Sequence, residues 1–162
     1  MTKDELKNKI MYEFEKANCK PNHIVMMRTF IFRLFSTLNP NEKELINDAV
    51  DELIQEGKVT IDPDGKCLRL TQIGFDGLYQ NSESVGRLEE EVMDKFRKGN
   101  YRVGQGFMMQ SITLTWMQEL NPIERDRLIT AINNLIRRRF ISYDEGAYML
   151  KLEQDGYDYI YQ

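Results

Sequence analysis

Arginine and asparagine side chains cluster in the second half of the chain, along a stretch with helical periodicity. These residue types form bidentate hydrogen bonds with guanine and adenine edges in the major groove of DNA. The candidate nucleic-acid contacts are Arg125, Arg127, Asn133, Asn134, Arg137 and Arg138. Two structural explanations compete with this one. Arginines in a last helical turn complement the helix dipole, and charged helix faces are commonly only solvated.

The charge of the surrounding sequence argues against a broad nucleic-acid surface. The chain has a net charge of −4, and neither half stands out as basic. The next predicted turn is acidic, with Asp144 and Glu145, and the corresponding helix of the first half carries Glu44, Asp48 and Asp51. Binding to phosphates depends on clustered lysine and arginine. We therefore expect the first half to be a poor reader of DNA.

A second candidate surface lies in the first half, where a predicted helix is apolar on more than one side. Its candidate protein-interface residues are Ile24, Ile31 and Phe32. In a helix, Ile24 and Ile31 would share one face because they are seven residues apart. Their counterparts in the second half are Gly106 and Thr113, so the fold does not require apolar residues there. The surface either packs between the two halves or binds another protein chain, a second copy included.

No residue set indicates catalysis, a metal or a cofactor. The chain has one histidine, His23, and two cysteines, Cys19 and Cys67, which predicts neither a zinc site nor a disulfide framework. A glycine-rich bend at 99–106 lacks the lysine and hydroxyl residue of a phosphate-binding loop. We expect a protein that is not an enzyme, with no catalytic residues, no bound metal and no cofactor.

The elements that hold these residues occur twice. A shift of 82 positions aligns Leu38-Asn39-Pro40 with Leu120-Asn121-Pro122, and Leu68 and Leu70 with Leu150 and Leu152, without a gap. One register held across a whole domain indicates a tandem duplication. The predicted domains are residues 1–82 and 83–162.

Each copy predicts three helices, a hairpin and a short closing helix. Apolar residues recur every four positions in the first helix, and the second helix is expected to start at Asn22 or Gly104. Asn-Pro then marks the start of the third helix, which holds the candidate DNA contacts. Alternating apolar residues around Pro63-Asp64-Gly65 predict a two-stranded hairpin. The fold class is α+β, mainly helical.

The stretch from Leu53 through the hairpin to Leu70-Thr71-Gln72-Ile73-Gly74 resembles the winged helix-turn-helix superfamily. In the second copy, Arg139 and Glu153 replace the glycine and threonine of this pattern. The resemblance implies duplex DNA binding through the third helix, with the hairpin as the wing. The tandem arrangement also resembles the paired winged helices of chromosome-condensation and membrane-sorting complexes, which act as protein scaffolds.

The sequence therefore predicts a non-catalytic binding protein. We expect a DNA-binding transcriptional or nucleoid-associated regulator that uses the third helix of the second copy. The alternative is a protein-interaction scaffold that does not contact DNA. The N-terminal residues are charged and contain no apolar signal segment, so we expect a cytoplasmic protein with no membrane partner.

Overall fold

The computed structural model describes residues 1–162 and shows an α+β protein in which helices predominate. The chain divides into two compact units, Met1–Gln80 and Asn81–Gln162. Each unit contains four helices and one three-stranded antiparallel sheet, in the same order along the chain. None of the helices combines the length and the apolar character needed to cross a bilayer.

The first unit runs from helix α1 to helix α4, and its sheet has the strand order β1-β3-β2. Its elements are α1 (Lys3–Lys16), β1 (Ile24–Met26), α2 (Met27–Phe35), α3 (Pro40–Gln55), β2 (Val59–Ile61), β3 (Cys67–Leu70) and α4 (Gln72–Leu78).

The second unit repeats this order, with the strand order β4-β6-β5. Its second helix, α6, has a π-helical middle, Ile112–Trp116, between α-helical ends at Met109–Ser111 and Met117–Glu119. The other elements are α5 (Val85–Lys98), β4 (Gly106–Met108), α7 (Pro122–Arg137), β5 (Ile141–Asp144), β6 (Met149–Leu152) and α8 (Gln154–Ile160).

The predicted start of the third helix is confirmed in both units. The Asn39 side chain accepts a hydrogen bond from the Glu42 backbone N–H, and the Glu42 carboxylate accepts one from the Asn39 N–H. Asn121 and Glu124 form the same capping box in the second unit. Proline follows the cap in each case, where its missing N–H costs no helical hydrogen bond. The Asn-Pro pair therefore fixes where α3 and α7 begin.

The predicted apolar periodicity of the first and third helices is also confirmed. In the first unit the buried residues are Leu6, Ile10 and Phe14 of α1 and Ile46, Ala49, Val50 and Leu53 of α3. Their equivalents in α5 and α7 are buried as well. Leu68 and Leu70, and likewise Leu150 and Leu152, close each core from the sheet. Each unit thus has its own hydrophobic core.

The predicted hairpins are confirmed as the antiparallel pairs β2–β3 and β5–β6, but each sheet has a third strand, and the predicted start of the second helix is wrong. Asn22 and Gly104 have positive φ angles of 70° and 81°, and both lie in turns before a strand, not at a helix start. Residues 24–26 pair with β3 in the register Ile24↔Arg69, and residues 106–108 pair with β6. After the left-handed turn, the chain runs beside the hairpin, and hydrogen bonds to the hairpin pair the backbone N–H and C=O groups of these residues. Each sheet therefore has three strands, and α2 begins at Met27.

Candidate nucleic-acid and protein interfaces

Helix α7 and its C-cap residue Arg138 carry the six predicted nucleic-acid contacts, but these do not share one exposed face. The apolar side of α7 packs in the core through Leu128, Ala131, Ile132 and Leu135. The exposed positions of the helix are Asp126, Ile129, Thr130, Asn133 and Arg137. This face is of mixed polarity and includes only two of the six predicted residues.

Arg125 and Arg127 are half-buried and bind backbone carbonyl groups of their own unit. The Arg125 Nε donates to the Met117 carbonyl at 2.8 Å, at the end of α6. Arg127 donates to the carbonyls of Glu83, at 2.9 Å, and Ser82, at 3.3 Å. These carbonyls lie at a helix end and in the segment before α5. The two guanidinium groups therefore hold the end of α6 and the segment before α5 against α7 by hydrogen bonds.

Asn134 and Arg138 both bind one carboxylate on helix α5. The Asn134 Nδ2 donates to Glu89 Oε1 at 3.0 Å, and an Arg138 guanidinium nitrogen donates to Glu89 Oε2 at 3.1 Å. The Arg138 guanidinium also stacks 4.3 Å from the centre of the Phe140 ring. Both donors are engaged within the unit, across the α5–α7 contact.

Asn133, Arg137 and Arg138 are the three predicted contacts that remain exposed. Arg137 donates to the Asn134 side-chain oxygen at 3.2 Å, one turn back on the same helix. Asp126, seven residues before Asn133, adds an exposed negative charge to this helix. Only Asn133 and Arg137 are both exposed and without a bond to another part of the unit, because Arg138 binds Glu89.

The hairpins of the two units carry matched ion pairs. Asp62 is 3.1 Å from the Arg69 Nε, and Asp144 is 2.6 Å from the Lys151 Nζ. The hydrogen bond from Lys151 holds the pKa of the Asp144 carboxyl below its ordinary value. Arg69 and Lys151 are therefore each paired with a carboxylate of their own hairpin.

In the first unit, α1 and α3 form the contact that corresponds to the one between Glu89 and α7 in the second unit. The charges are reversed, because the cation is on α1 and the carboxylates are on the side of α3. Lys7 of α1 occupies the position of Glu89, and its Nζ is 3.2 Å from Glu52 and in contact with Glu56 of α3. Glu52 and Glu56 occupy the positions of Asn134 and Arg138. Hydrogen bonds to these carboxylates raise the pKa of Lys7. Hydrogen bonds from Lys3, the larger contribution, and from Lys7 lower the pKa of Glu52.

The three predicted protein-interface residues lie on different surfaces. Ile24 is on strand β1, where its side chain is 46% exposed. Ile31 is half-buried on α2 and packs against the core. Phe32 projects into solvent, with 80% of its surface exposed. The expectation that Ile24 and Ile31 share a helical face is wrong, because Ile24 belongs to a strand.

Phe32 belongs to an exposed stripe on α2 that the sequence prediction did not include. Arg28, Phe32 and Phe35 are spaced at i, i+4 and i+7, so they lie along one side of the helix, and all three are exposed. The Lys43 Nζ lies 5.1 Å from the centre of the Phe35 ring. We call these four residues the α2 face. Their helical spacing is visible in the sequence, but the true start of α2 was needed to identify the face.

The second unit keeps one apolar member of this face. Leu114 occupies the position of Phe32 and is 69% exposed. Gln110 and Met117 stand where Arg28 and Phe35 are, so the aromatic rings are confined to the first unit. The equivalent of Lys43 is Arg125, whose guanidinium binds the Met117 carbonyl.

The histidine and the cysteines have local roles. His23 accepts a hydrogen bond through Nδ1 from the Lys20 backbone N–H at 3.1 Å, and Gln105 does the same for Arg102 at 3.0 Å. The side chain at this position thus closes the loop before the first strand in each unit. Cys19 is buried, which raises the pKa of its thiol, and both cysteines are free.

Comparison with known proteins adds no assignment to these surfaces. No family model, curated protein or solved structure matches this chain.

Proposed function

We propose that this chain is a non-catalytic, protein-binding scaffold made of two winged-helix domains, and that it binds its partner through the α2 face. The order of three helices, a hairpin and a closing helix in each unit supports the winged-helix assignment. The additional strands β1 and β4 enlarge each wing sheet. The observation that carries the functional proposal is the exposure of Phe32.

Solvent exposure of a phenylalanine is costly when no partner covers the ring. Full burial of a side chain of this size contributes about 1.5–3 kcal/mol. Phe32 lies beside Phe35 on the same helix, so the α2 face offers two adjacent aromatic anchors. Aromatic anchors with an arginine nearby are the typical energetic centre of a protein interface.

The charge of the α2 face indicates the chemistry of the partner. Arg28 is exposed, and Lys43 lies over the Phe35 ring. The sequence of α2, MRTFIFRLF, contains no carboxylate. The complementary ligand is an acidic segment with apolar anchors, in which carboxylates face Arg28 and Lys43. We infer that the partner is a protein that presents such a segment.

A protein partner explains these surfaces better than a nucleic acid does. Phenylalanine also stacks on unpaired bases, but the equivalent residue Leu114 has no aromatic ring. The property that both units keep at this position is apolarity. Of the six side chains suited to base edges, four bind segments of the second unit other than α7. Both observations favour a protein ligand on α2 over DNA on α7.

Selection from a random-peptide display library on the purified full chain tests this proposal. We expect enrichment of peptides with apolar residues flanked by aspartate or glutamate. The substitution Phe32→Ser should weaken the selected peptides by about ten- to a hundredfold, the equivalent of about 1.5–3 kcal/mol of lost burial. Arg28→Glu should also weaken peptide binding, and the loss of affinity should be larger at low salt than at high salt because the contact is ionic.

Ile73→Ser is the matched control, since Ile73 is 61% exposed on α4, away from the α2 face. It should leave peptide binding unchanged. Peptides that bind Phe32→Ser as well as the unmodified chain would contradict the proposal. So would micromolar binding of mixed duplex or single-stranded DNA that the Phe32 substitution leaves intact.

A further inference from the structure

The contact between the first and third helices has opposite charges in the two units. In the first unit a cation on α1 binds two carboxylates on α3. In the second unit a carboxylate on α5 binds an amide and a guanidinium on α7. Lys7 and Glu89 occupy equivalent positions, as do Glu52 and Asn134, and Glu56 and Arg138.

The apolar part of this contact does not distinguish the two units. The buried residues of α1, Leu6, Ile10 and Phe14, have the near-identical equivalents Leu88, Val92 and Phe96 in α5. On the third helix, Ala49, Val50 and Leu53 have the equivalents Ala131, Ile132 and Leu135. Helix α1 therefore fits the apolar side of α7 nearly as well as that of α3. A chain with two such pairs has an alternative, exchanged pairing.

The polar part of the contact makes the exchanged pairing unfavourable in both directions. If α1 packed on α7, Lys7 would face Arg138. If α5 packed on α3, Glu89 would face both Glu52 and Glu56. Each exchange replaces an ionic hydrogen bond with a like-charge approach.

The burial of these groups makes the discrimination effective. The Lys7 side chain is 13% exposed and that of Glu89 is 16% exposed, so neither charge rotates freely into solvent. A partly enclosed ion pair is screened less by water and salt than one on an open surface.

We propose that this charge-reversed contact is a pairing code that directs each first helix to the third helix of its own unit. It disfavours helix exchange between a first unit and a second unit, within one chain or between neighbouring chains. The code resolves the ambiguity that near-identical apolar cores create in a tandem repeat, where exchange between similar domains is a characteristic folding failure.

An exchanged variant tests the code in the full chain. Lys7→Glu with Glu89→Lys gives each first helix the charge that matches the other unit. After rapid dilution from urea, we expect this variant to recover several-fold less of the species that the unmodified chain forms. The missing protein should appear as dimers and larger species in size-exclusion chromatography with light scattering. Trp116, the single tryptophan, reports correct docking of α5, because Lys95 of α5 lies 4.4 Å from its ring centre.

Two further variants separate a pairing code from a simple loss of stability. Lys9→Glu with Glu91→Lys makes the same charge exchange two residues along the same helices, at positions that form no hydrogen bond or ion pair with the third helix. It should refold like the unmodified chain. The compensated variant adds Glu52→Asn, Glu56→Arg, Asn134→Glu and Arg138→Glu to the exchanged one, and it should restore the original elution profile and Trp116 emission.

The proposal is overturned if the exchanged variant refolds with the same yield and elution profile as the Lys9→Glu, Glu91→Lys control. It is equally overturned if the compensated variant recovers no more native protein than the exchanged variant does.

Discussion

Arg139 adopts a backbone conformation that favours glycine. Its φ angle is 60°, in the left-handed region, and it follows Arg138, the C-cap of α7. The equivalent residue in the first unit is Gly57, with a φ of 71°. Both backbone N–H groups close their helix in the same way, donating to Ile136 and Ile54 respectively at 3.0 Å. The second unit thus keeps the turn but has lost the residue type that adopts it without strain.

Arg139→Gly should therefore stabilise the second unit by about 1 kcal/mol, since glycine relieves the left-handed strain. Urea unfolding followed by Trp116 fluorescence measures this change. The reverse substitution, Gly57→Arg, should destabilise the first unit and leave the Trp116 transition in place. A lower stability for Arg139→Gly would show that the arginine side chain contributes more than its backbone conformation costs.

At this scale the sequence predicted residue types better than residue partners. Arg138 and Asn134 were expected to be available to DNA, yet both bind Glu89, a residue more than forty positions away. Nothing local to α7 predicts that contact, because it depends on how α5 packs. The alignment of the two halves did contain one signal for the contact: Lys7 aligns with Glu89, and Glu56 aligns with Arg138, so both charges are reversed together.

Among the elements, the closing helices are positioned by glycine. A side chain at Gly74 of α4 would place its Cβ 2.1 Å from the Lys58 carbonyl oxygen. Gly156 of α8 is in the same situation, 2.1 Å from the Phe140 carbonyl. The helix approaches the backbone before the hairpin so closely that no side chain fits. The matching glycines in the two halves of the sequence have this physical cause.

Gly74→Ala should destabilise the first unit by more than 1 kcal/mol, because backbone or helix must shift to relieve the clash. Gly77→Ala, in the same helix with open space around it, is the control. It should stabilise α4 by up to about 1 kcal/mol through helix propensity. Thermal unfolding followed by circular dichroism compares the two variants. An equal effect of both substitutions would rule out the close approach as the cause.

The contact between α1 and α3 makes the first unit sensitive to acid. A hydrogen bond from Lys58, then one from Lys7, lowers the pKa of Glu56, and the pKa of Glu52 is lowered by Lys3 and Lys7. A carboxyl whose folded pKa is depressed stabilises the fold above its unfolded pKa, and this stability is lost as the pH falls through the folded value. The melting temperature of the first unit should therefore fall as the pH decreases below the ordinary glutamate value of 4.5.

Replacement of both Lys3 and Lys7 by methionine removes both cations that lower the pKa of Glu52, and it leaves Lys58 as the cation that lowers the pKa of Glu56. The fall in melting temperature between pH 5 and pH 3 should then be smaller than in the unmodified chain. Near-UV circular dichroism at each pH measures it. An identical fall in the variant would assign the acid sensitivity to other carboxyl groups.

The elements with strong periodicity and caps were predictable, and the short strands were not. Asn39-Pro40 and Asn121-Pro122 fixed two helix starts, and the four-residue spacing of Leu6, Ile10 and Phe14 identified α1. The three residues of β1, in contrast, continue directly into α2 and are all apolar. Such a short run carries no period of its own. Its pairing with β3 depends on a residue some forty positions further along.

At the scale of the whole molecule, the two units share an element order but present different surfaces. The exposed side of α3 is acidic, with Glu44, Asp48 and Asp51, while that of α7 is mixed. The α2 face is aromatic and cationic in the first unit, and its equivalent on α6 is reduced to Leu114. We infer that the first unit carries the main binding surface.

The distribution of charge leads to a prediction about nucleic acid. With four of the six candidate side chains bound to other segments of their unit, the full chain should show no salt-dependent binding of mixed duplex DNA at micromolar protein in an anisotropy titration. Asn133→Ala with Arg137→Ala, which removes the two exposed candidates that bind no other segment, should not change the titration. Binding that falls steeply with salt and disappears in this double variant would support the α7 surface instead.

If the α2 face, and not α7, binds the partner, a photo-reactive side chain on α2 should cross-link to it. For site-specific photo-cross-linking in the cells that produce the protein, a benzophenone amino acid replaces Phe32 in one variant and Asn133 in another. We expect a discrete protein adduct from position 32, diminished by Arg28→Glu, and no adduct from position 133. A nucleic-acid or protein adduct at position 133 with none at position 32 would show that the partner binds α7 and not the α2 face.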